Sequence, residues 1–334
     1  MRTVFVTGGS GFVGGALLDE LAERGETTRA LARSTEAEAA VVARGAVPVR
    51  GDLTDVDALT AGMRGAELVV HCAARMGGSW SDLGDLYRTN VDGSRAVLQA
   101  ARSAGVPRLV LVSTEQVVLG DRPLVDADET WPYPARWPGP YAQTKAEAER
   151  LVLAASTPEL ATVAVRPRMV WGRGDPTLLP ALVDAARAGK LRWVDGGDHL
   201  TSTTHVRNAV EGVLAAAERG RGGEAYFLTD GEPVPFREFA TALLATQCVP
   251  APSDTVSGRV ARTVARGTGA LWRVLPLPGR PPVDLATIRV VGETCTLRDD
   301  RARWELGYEG KVRREEGLAE LRAEAADAGP GVRG

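Results

Sequence analysis

Short, nearly continuous apolar segments alternate with segments of helical periodicity along the first half of the chain. The apolar segments predict strands at residues 3–7, 27–32, 46–52, 67–74, 108–113 and 161–167. Between them, apolar residues recur every three or four positions and predict helices at residues 12–24, 35–44, 83–104 and 141–155. Strands that are apolar on both faces are typical of a parallel sheet covered by helices, so the pattern predicts a doubly wound α/β fold.

The pattern changes beyond Pro167, where Pro, Gly and Trp become frequent and no low-complexity linker intervenes. The main domain is therefore predicted to cover residues 1–167, and a smaller part, interleaved with the sheet, residues 168–330. The proline-rich stretch 272–282 fits either a lid or a rigid surface loop. Helical periodicity in this second part predicts helices at residues 178–189, 205–218 and 236–246.

Charge balance and residue usage argue against several classes of function. The 334 residues carry 40 basic and 43 acidic side chains, a net charge of −3, without a long run of one sign. This distribution predicts neither a nucleic-acid groove nor a membrane-binding surface. The three cysteines lie far apart and form no CxxC pair, and the three histidines form no HExxH motif, so we expect no metal site. No apolar stretch approaches the roughly 18 residues of a membrane span, and the N-terminal residues run directly into a folded motif, so we expect a cytoplasmic protein.

The turn after the first predicted strand has the sequence TGGSGFVG, in which Gly8, Gly11 and Gly14 have GxxGxxG spacing. Phe12 and Val13 then open the helix. In such a turn one glycine permits the tight bend, a second lets the backbone approach a pyrophosphate, and a third allows close packing of helix and strand. We therefore predict a Rossmann-type dinucleotide-binding domain in the first part of the chain and a mainly substrate-binding second part.

The end of the second strand indicates which dinucleotide is bound. An acidic residue there would bind the ribose 2′-hydroxyl of NAD, whereas an arginine accommodates the 2′-phosphate of NADP. The segment RALARS offers Arg33 and Ser34 and no acid, which favours NADP(H). NAD(H) stays open, because only three of the 40 basic residues are lysines and a single arginine is weak evidence in so arginine-rich a chain.

Two further segments are candidates for the cofactor crevice. Asp52 and Leu53 follow the third strand, and Asp52 either binds the adenine or caps the helix that follows. Ala73, Ala74 and Arg75 follow the fourth strand, where small side chains permit close approach of a cofactor.

Tyr141 and Lys145 stand four residues apart at the start of a predicted helix, so their side chains lie on one face. A free phenol has a pKa near ~10, and acid–base work at neutral pH requires this pKa to fall by about three units. A neighbouring ammonium and the positive end of the helix would both lower it. The pair therefore predicts an acid–base centre.

The loop STEQ after the fifth strand offers candidates for a third catalytic group. Counting back from Gly120 indicates Glu115, whereas counting forward from the strand indicates Thr114, and Ser113 is expected to face the core or the cofactor. We prefer Thr114, because a hydroxyl both donates and accepts, whereas a carboxylate only accepts and opposes a developing alkoxide. Glu115 remains a candidate for catalysis or substrate contact.

Motifs spread over residues 2 to 320 resemble one family. TGGSGFVG, GDL, HCAA, YRTNVDGSRAVL with Asn90, YAQTK and VRPRMVWGRGD are similar to the extended short-chain dehydrogenases/reductases. HVRNAVEG, GEAYFLTDGEPVPFREF and RARWELGYEGKVRREEGL resemble the 3β-hydroxysteroid dehydrogenase branch of that family.

The resemblance implies a mechanism in which Tyr141 exchanges a proton with the substrate oxygen and Lys145 holds the nicotinamide ribose. Thr114 would polarise the same oxygen during hydride transfer. Asn90 would lie near the lysine and contact the cofactor, or else be an amide on a helix surface. The family commonly dimerises through its fourth and fifth helices, which implies a homodimer through residues 83–104 and 141–155. Residues expected beside the nicotinamide are Pro167, Met169 and Val170.

The reaction implied is the interconversion of a ketone and a secondary alcohol on a bulky apolar substrate, steroid-like or a natural-product ring. A nucleotide-sugar epimerase or dehydratase with tightly bound NAD is one alternative, although dehydratases place two acids after the catalytic threonine, where this chain has Glu and Gln. A non-catalytic nicotinamide sensor is another, although it would not need the Tyr–Lys pair. Predicted substrate contacts are Met76, Trp80, Glu115, Arg168 and Trp171, and further wall candidates are Trp131, Trp137 and Trp193.

Overall fold

Strands and helices alternate through the structure, a computed structural model that describes residues 2–274 and 285–327. The strands are β1 (Thr3–Thr7), β2 (Thr27–Ala32), β3 (Val47–Arg50), β4 (Leu68–His71), β5 (Arg108–Val112), β6 (Leu124–Ala127), β7 (Ala161–Pro167), β8 (Val170–Trp171), β9 (Trp193–Val194), β10 (Leu200–Thr201), β11 (Thr204–His205), β12 (Ala225–Leu228), β13 (Val234–Pro235), β14 (Thr255–Val256) and β15 (Cys295–Leu297). The α-helices are α1 (Phe12–Glu23), α2 (Thr35–Val42), α3 (Val56–Met63), α4 (Leu83–Tyr87), α5 (Gly93–Ser103), α6 (Pro140–Ala154), α7 (Leu178–Arg187), α8 (Val206–Arg219), α9 (Phe236–Thr246), α10 (Gly258–Val274), α11 (Leu285–Val291) and α12 (Arg314–Asp327).

The main sheet has seven parallel strands within the described residues, in the order β3-β2-β1-β4-β5-β7-β12. The chain builds outward from β1 to β3 and then returns to the other side of β1 with β4. This reversal of strand order opens a crevice at the carboxyl ends of β1 and β4, where ligands bind in folds of this type. The predicted doubly wound α/β fold is confirmed.

Helices cover both faces of the sheet, which explains why its central strands are largely apolar. Val4 and Val6 of β1 face one core cluster with Leu17 of α1, whereas Phe5, between them, faces a second cluster with Leu59 of α3. Each of these side chains is fully buried. Burial of successive residues on opposite faces produces a continuous apolar run instead of an alternating pattern.

The second part of the chain returns to the main sheet through β12, which pairs with β7. Its other strands are short and form small sheets, one in the order β13-β10-β15-β6. The helix predicted at residues 83–104 consists of α4, a π-helical turn over Arg88–Asp92, and α5. The proline-rich stretch 272–282 lies mostly outside the described residues. No helix in the described ranges is long and apolar enough to cross a membrane.

Candidate active site

A cavity of about 830 Å³ lies at the carboxyl edge of the main sheet, around the crevice between β1 and β4. Most predicted site residues meet there. Those that line the cavity are Gly8, Gly11, Phe12, Val13, Gly14, Arg33, Asp52, Leu53, Ala73, Ala74, Arg75, Met76, Thr114, Glu115, Tyr141, Lys145, Pro167, Met169 and Val170. Predicted residues that are not part of its lining are Ser34, Trp80, Asn90, Arg168 and Trp171.

The glycine turn leaves space for a bound group to come close to the start of α1. Gly8 has a φ of +75°, and a Cβ atom there would lie 2.6 Å from the backbone nitrogen of Ala73. A Cβ atom on Gly14 would overlap the carbonyl oxygen of Gly8. Gly11 is the N-cap of α1 and provides no side-chain hydrogen bond to the first amides of the helix. Helix amides beside a glycine-rich turn form a site that fits a pyrophosphate.

The candidates for the adenosine end differ in their roles. Arg33 lies at the end of β2 and is exposed to the cavity, whereas Ser34 caps α2 by accepting a hydrogen bond from a backbone amide. Asp52 lines the cavity, and hydrogen bonds from the hydroxyl and the amide of Thr54 lower the pKa of its carboxyl group. Asp55 caps α3, so the alternative helix-cap role of Asp52 is wrong.

Asn90 supports the cavity from behind instead of facing it. The side chain is buried inside the π-helical turn, so it is not an amide on the helix surface, and because it does not line the cavity it does not fit the predicted cofactor contact. It does lie near the lysine, since its partner Thr144 precedes Lys145. Its Oδ1 atom accepts from the Arg75 amide at 2.8 Å, and its Nδ2 atom donates to the Arg75 carbonyl at 3.1 Å. Nδ2 also donates to the Thr144 hydroxyl at 3.0 Å. Asn90 therefore connects the loop after β4 to α6.

Tyr141 and Lys145 extend from the first two turns of α6 into the cavity. The Lys145 ammonium donates to the Val112 carbonyl at 2.9 Å, and burial lowers its pKa to about 8 against a smaller opposing effect of Glu149. Burial and the negative charge of Glu115 raise the pKa of Tyr141. The predicted lowering of this pKa is therefore wrong for these side chains, because burial and the carboxylate both act in the opposite direction.

Ser113, Thr114 and Glu115 form the wall that follows β5. The Thr114 hydroxyl donates to Oε2 of Glu115 at 2.7 Å and accepts from the Gln116 amide at 3.3 Å. Ser113 is buried, and its hydroxyl has no hydrogen-bond partner among the described residues. Both alternatives for the third catalytic group thus border the same cavity and are bonded to each other.

Arg168 lies behind Glu115 and is completely buried. Its Nη1 atom donates to Oε1 of Glu115 at 2.6 Å, its Nε atom to the Thr201 hydroxyl at 3.1 Å, and its Nη2 atom to the Val290 carbonyl at 2.8 Å. The predicted substrate contact of Arg168 therefore does not fit its position, since all three nitrogens bind protein groups. The adjacent Met169 lines the cavity with a φ of +45°, a strained conformation that clusters at functional sites.

The tryptophans that were expected in the substrate wall lie elsewhere. Trp171 is completely buried, donates to the Asp230 carboxylate at 2.8 Å and packs edge-on against Phe239. Trp80 is 40% exposed but lies outside the cavity lining. Their large apolar area explains why most of them pack into cores instead. Trp131, Trp137 and Trp193 are likewise not among the lining residues.

Several lining residues were not predicted. Three of them, Arg88, Thr89 and Gln116, lie within quoted motifs but were not assigned a role, and the others come from segments far apart in the chain. The side chains concerned belong to Arg88, Thr89, Gln116, Thr177, Leu178 and Val290.

Comparison with known proteins places these features in a family. Residues 5–256 match the 3-beta hydroxysteroid dehydrogenase/isomerase family. The 4-hydroxy-2-methyl-3-oxo-4-farnesyl-3,4-dihydroquinoline-1-oxide ketoreductase of Stigmatella aurantiaca is 48% identical, over 99% of this chain and 98% of its own. The 2-alkyl-3-oxoalkanoate reductase of Stenotrophomonas maltophilia is 38% identical, over 97% of this chain and 99% of its own.

Solved structures agree with this assignment. A double mutant of dTDP-glucose 4,6-dehydratase from Streptomyces venezuelae, with NAD bound, has a TM-score of 0.75 at 26% identity, over 97% of this chain and 96% of its own. The chain therefore belongs to the 3-beta hydroxysteroid dehydrogenase/isomerase family and is an oxidoreductase of the extended short-chain type. The resemblance inferred from the sequence motifs is confirmed.

Proposed function

We propose that this protein uses NADP(H) to interconvert a ketone and a secondary alcohol on a bulky, largely apolar substrate. The observation that carries this proposal is the meeting of Thr114, Tyr141 and Lys145 with the glycine turn in one cavity. The 48% identical relative is named a ketoreductase, which supports reduction as the working direction.

The residues present fit a dinucleotide. Gly8 and Gly14 leave room for a pyrophosphate that the first amides of α1 would bind. Arg33 borders the cavity at the end of β2, a position suited to a 2′-phosphate, which is why we propose NADP(H) over NAD(H). Lys145 would hold the nicotinamide ribose. When bound, the nicotinamide ring supplies or accepts a hydride.

Tyr141 is the proposed proton donor to the ketone oxygen. Its raised pKa keeps the phenol protonated at neutral pH, as proton donation requires. Thr114 would donate a second hydrogen bond to the same oxygen, and its hydroxyl would then give up the hydrogen bond that it donates to Glu115 in this structure.

The remaining wall of the cavity supports an apolar substrate. Beyond the catalytic side chains, Met76, Met169, Val170, Leu178 and Val290 present aliphatic and thioether groups. Such surfaces bind extended hydrocarbon or ring systems by burial of apolar area.

Cofactor choice is tested by comparing the dissociation constants of NADPH and NADH. We expect NADPH to bind more tightly and Arg33→Ala to reduce the difference. Arg24→Ala, which removes an exposed arginine of a surface ion pair, is the matched control and should leave both constants unchanged. Tenfold tighter binding of NADH by the wild-type protein would contradict the proposed NADP(H) specificity.

The reaction is tested by following absorbance of the reduced cofactor with a panel of ketones. Net consumption that falls about a hundredfold or more in Tyr141→Phe supports the proposal. Tightly retained cofactor without net consumption would instead favour an epimerase or dehydratase. Saturable cofactor binding without any chemistry would favour a sensor.

A further inference from the structure

The wall beside Tyr141 contains an acceptor that the proposed reaction does not use. Glu115 is 2% exposed and still borders the cavity. Its partner Arg168, 0% exposed, lies on the far side, so the negative end of this ion pair faces the substrate space and the positive end faces the protein.

The position of the carboxylate is fixed from two sides. Arg168 holds Oε1 at 2.6 Å and is itself anchored by Thr201 and Val290, while Thr114 donates to Oε2 at 2.7 Å. Because Arg168 is itself anchored, it keeps the carboxylate in place when a ligand enters, even when the Thr114 proton turns to that ligand. Preorganised acceptors of this kind discriminate strongly between ligands that can and cannot donate to them.

The carboxylate retains unused acceptor capacity. An ionised carboxylate has about four lone-pair sites and no donor. The two hydrogen bonds from Arg168 and Thr114 occupy one site on each oxygen. A ligand group placed here gains a charge-assisted bond only if it carries a proton to donate, and a second carboxylate would be repelled.

We propose that Glu115 selects ketones that carry a hydroxyl group next to the reacting carbonyl. The inference rests on the proposed ketone reduction at Tyr141. When the carbonyl oxygen lies at Tyr141 and Thr114 turns its proton to that oxygen, the neighbouring hydroxyl of the substrate donates in its place to Oε2 of Glu115, which lies 2.7 Å from the Thr114 hydroxyl in this structure. Neutral hydroxy ketones are therefore preferred to plain ketones and to β-keto carboxylates.

The test uses three probes that share an aryl ketone: benzoin, which has a neighbouring hydroxyl, deoxybenzoin, which lacks it, and benzoylacetate, which carries a carboxylate. For the wild-type protein with NADPH, or with NADH if that is the bound form, kcat/KM for benzoin should exceed that for deoxybenzoin about tenfold to a hundredfold, as for one hydrogen bond to a charged group. Glu115→Gln should bring this ratio close to one and raise the relative rate with benzoylacetate.

Glu115→Gln leaves the charge of Arg168 buried and alone, so it can fail to fold. The double variant Glu115→Gln with Arg168→Met removes both charges and should show the same loss of preference. Glu149→Gln is the matched control, because it leaves Arg166 equally unpaired in a buried pair that does not line the cavity, and it should keep the benzoin preference.

Each outcome is decisive. A wild-type ratio near one, or a preference that survives in both Glu115 variants, overturns the inference while leaving ketone reduction intact. An equal loss of preference in Glu149→Gln would show a general structural effect and would also overturn it. No consumption of either cofactor with any probe contradicts the proposed function itself, and the inference with it.

Discussion

Two buried ion pairs, Glu149–Arg166 and Glu115–Arg168, use arginines two residues apart at the end of β7. In the first pair the side chains are 0% and 4% exposed, and Nη2 lies 2.7 Å from Oε1. In the second they are 2% and 0% exposed, and Nη1 lies 2.6 Å from Oε1. By charge, distance and burial the two pairs are nearly the same.

Their surroundings differ. Glu149 is also bonded by the Tyr133 hydroxyl at 2.7 Å, and Arg166 lies over the rings of Tyr133 and Phe227, so protein groups enclose the first pair. The second pair ends at the cavity, where its carboxylate is bonded to Thr114. An ion pair that protein groups enclose serves the fold alone. A similar pair whose carboxylate borders a cavity also offers that carboxylate to a ligand.

The largest effect should come from breaking the enclosed pair. Arg166→Met leaves the Glu149 carboxylate buried without its partner, so we expect the free energy of unfolding to fall by about 3–5 kcal/mol, measured in urea by tryptophan fluorescence. Preference among substrates should not change. As a control, Arg95→Met removes an exposed pair and should cost less than about 1 kcal/mol. Equal losses in both variants would show that burial of the pair is irrelevant.

At the Glu115–Arg168 pair, which borders the cavity, removal of the Thr114 hydroxyl should affect catalysis instead of stability. Thr114→Ala keeps Glu115 and Arg168 together, so we expect kcat to fall tenfold to a thousandfold, on the scale of a lost polar group at the reacting oxygen. Steady-state kinetics with the reduced cofactor measure this. If Thr114→Ala stays near the wild-type rate while Glu115→Gln is inactive, Glu115 is the third catalytic group.

The smallest expected effect is that of the Glu115 charge on the pKa of Tyr141. Burial and this carboxylate raise the pKa of Tyr141, whereas burial lowers the pKa of Lys145 to about 8, so the ammonium loses its proton first as pH rises and the phenol loses its proton later. Glu115→Gln removes the negative charge, which lowers the pKa of Tyr141 and should move the second, phenol-dependent fall in rate to lower pH. The pH dependence of kcat measures the change. Superimposable profiles would show that Glu115 has no influence on the phenol.

The nucleotide-binding half of the fold was predictable because its signals are local. Strands buried on both faces, such as β1, leave continuous apolar runs, and the turn with Gly8 and Gly14 has a strict spacing. The position of Tyr141 and Lys145 in the cavity followed from their spacing on one helix. Each of these features is encoded within a few residues.

Other features depend on contacts across the chain. Arg168 bonds Glu115 from 53 residues away, which no periodicity reveals. Asn90 lies near the lysine as expected, but its role as a link between the loop after β4 and α6, through bonds to Arg75 and Thr144, has no sequence signal. Two-residue strands such as β8 are too short for a pattern, so Trp171 could not be assigned to a core from its sequence alone.

Burial of Arg168 also limits how this protein can change over evolutionary time. A single replacement of Glu115 that altered substrate preference would leave a lone charge in the interior, and the same holds for a single replacement of Arg168. Only a coordinated change at both positions avoids this intermediate. The effects of mutations at the two positions are therefore expected to be non-additive. A lineage that acquires a new substrate range at this site by single mutations would pass through a less stable variant.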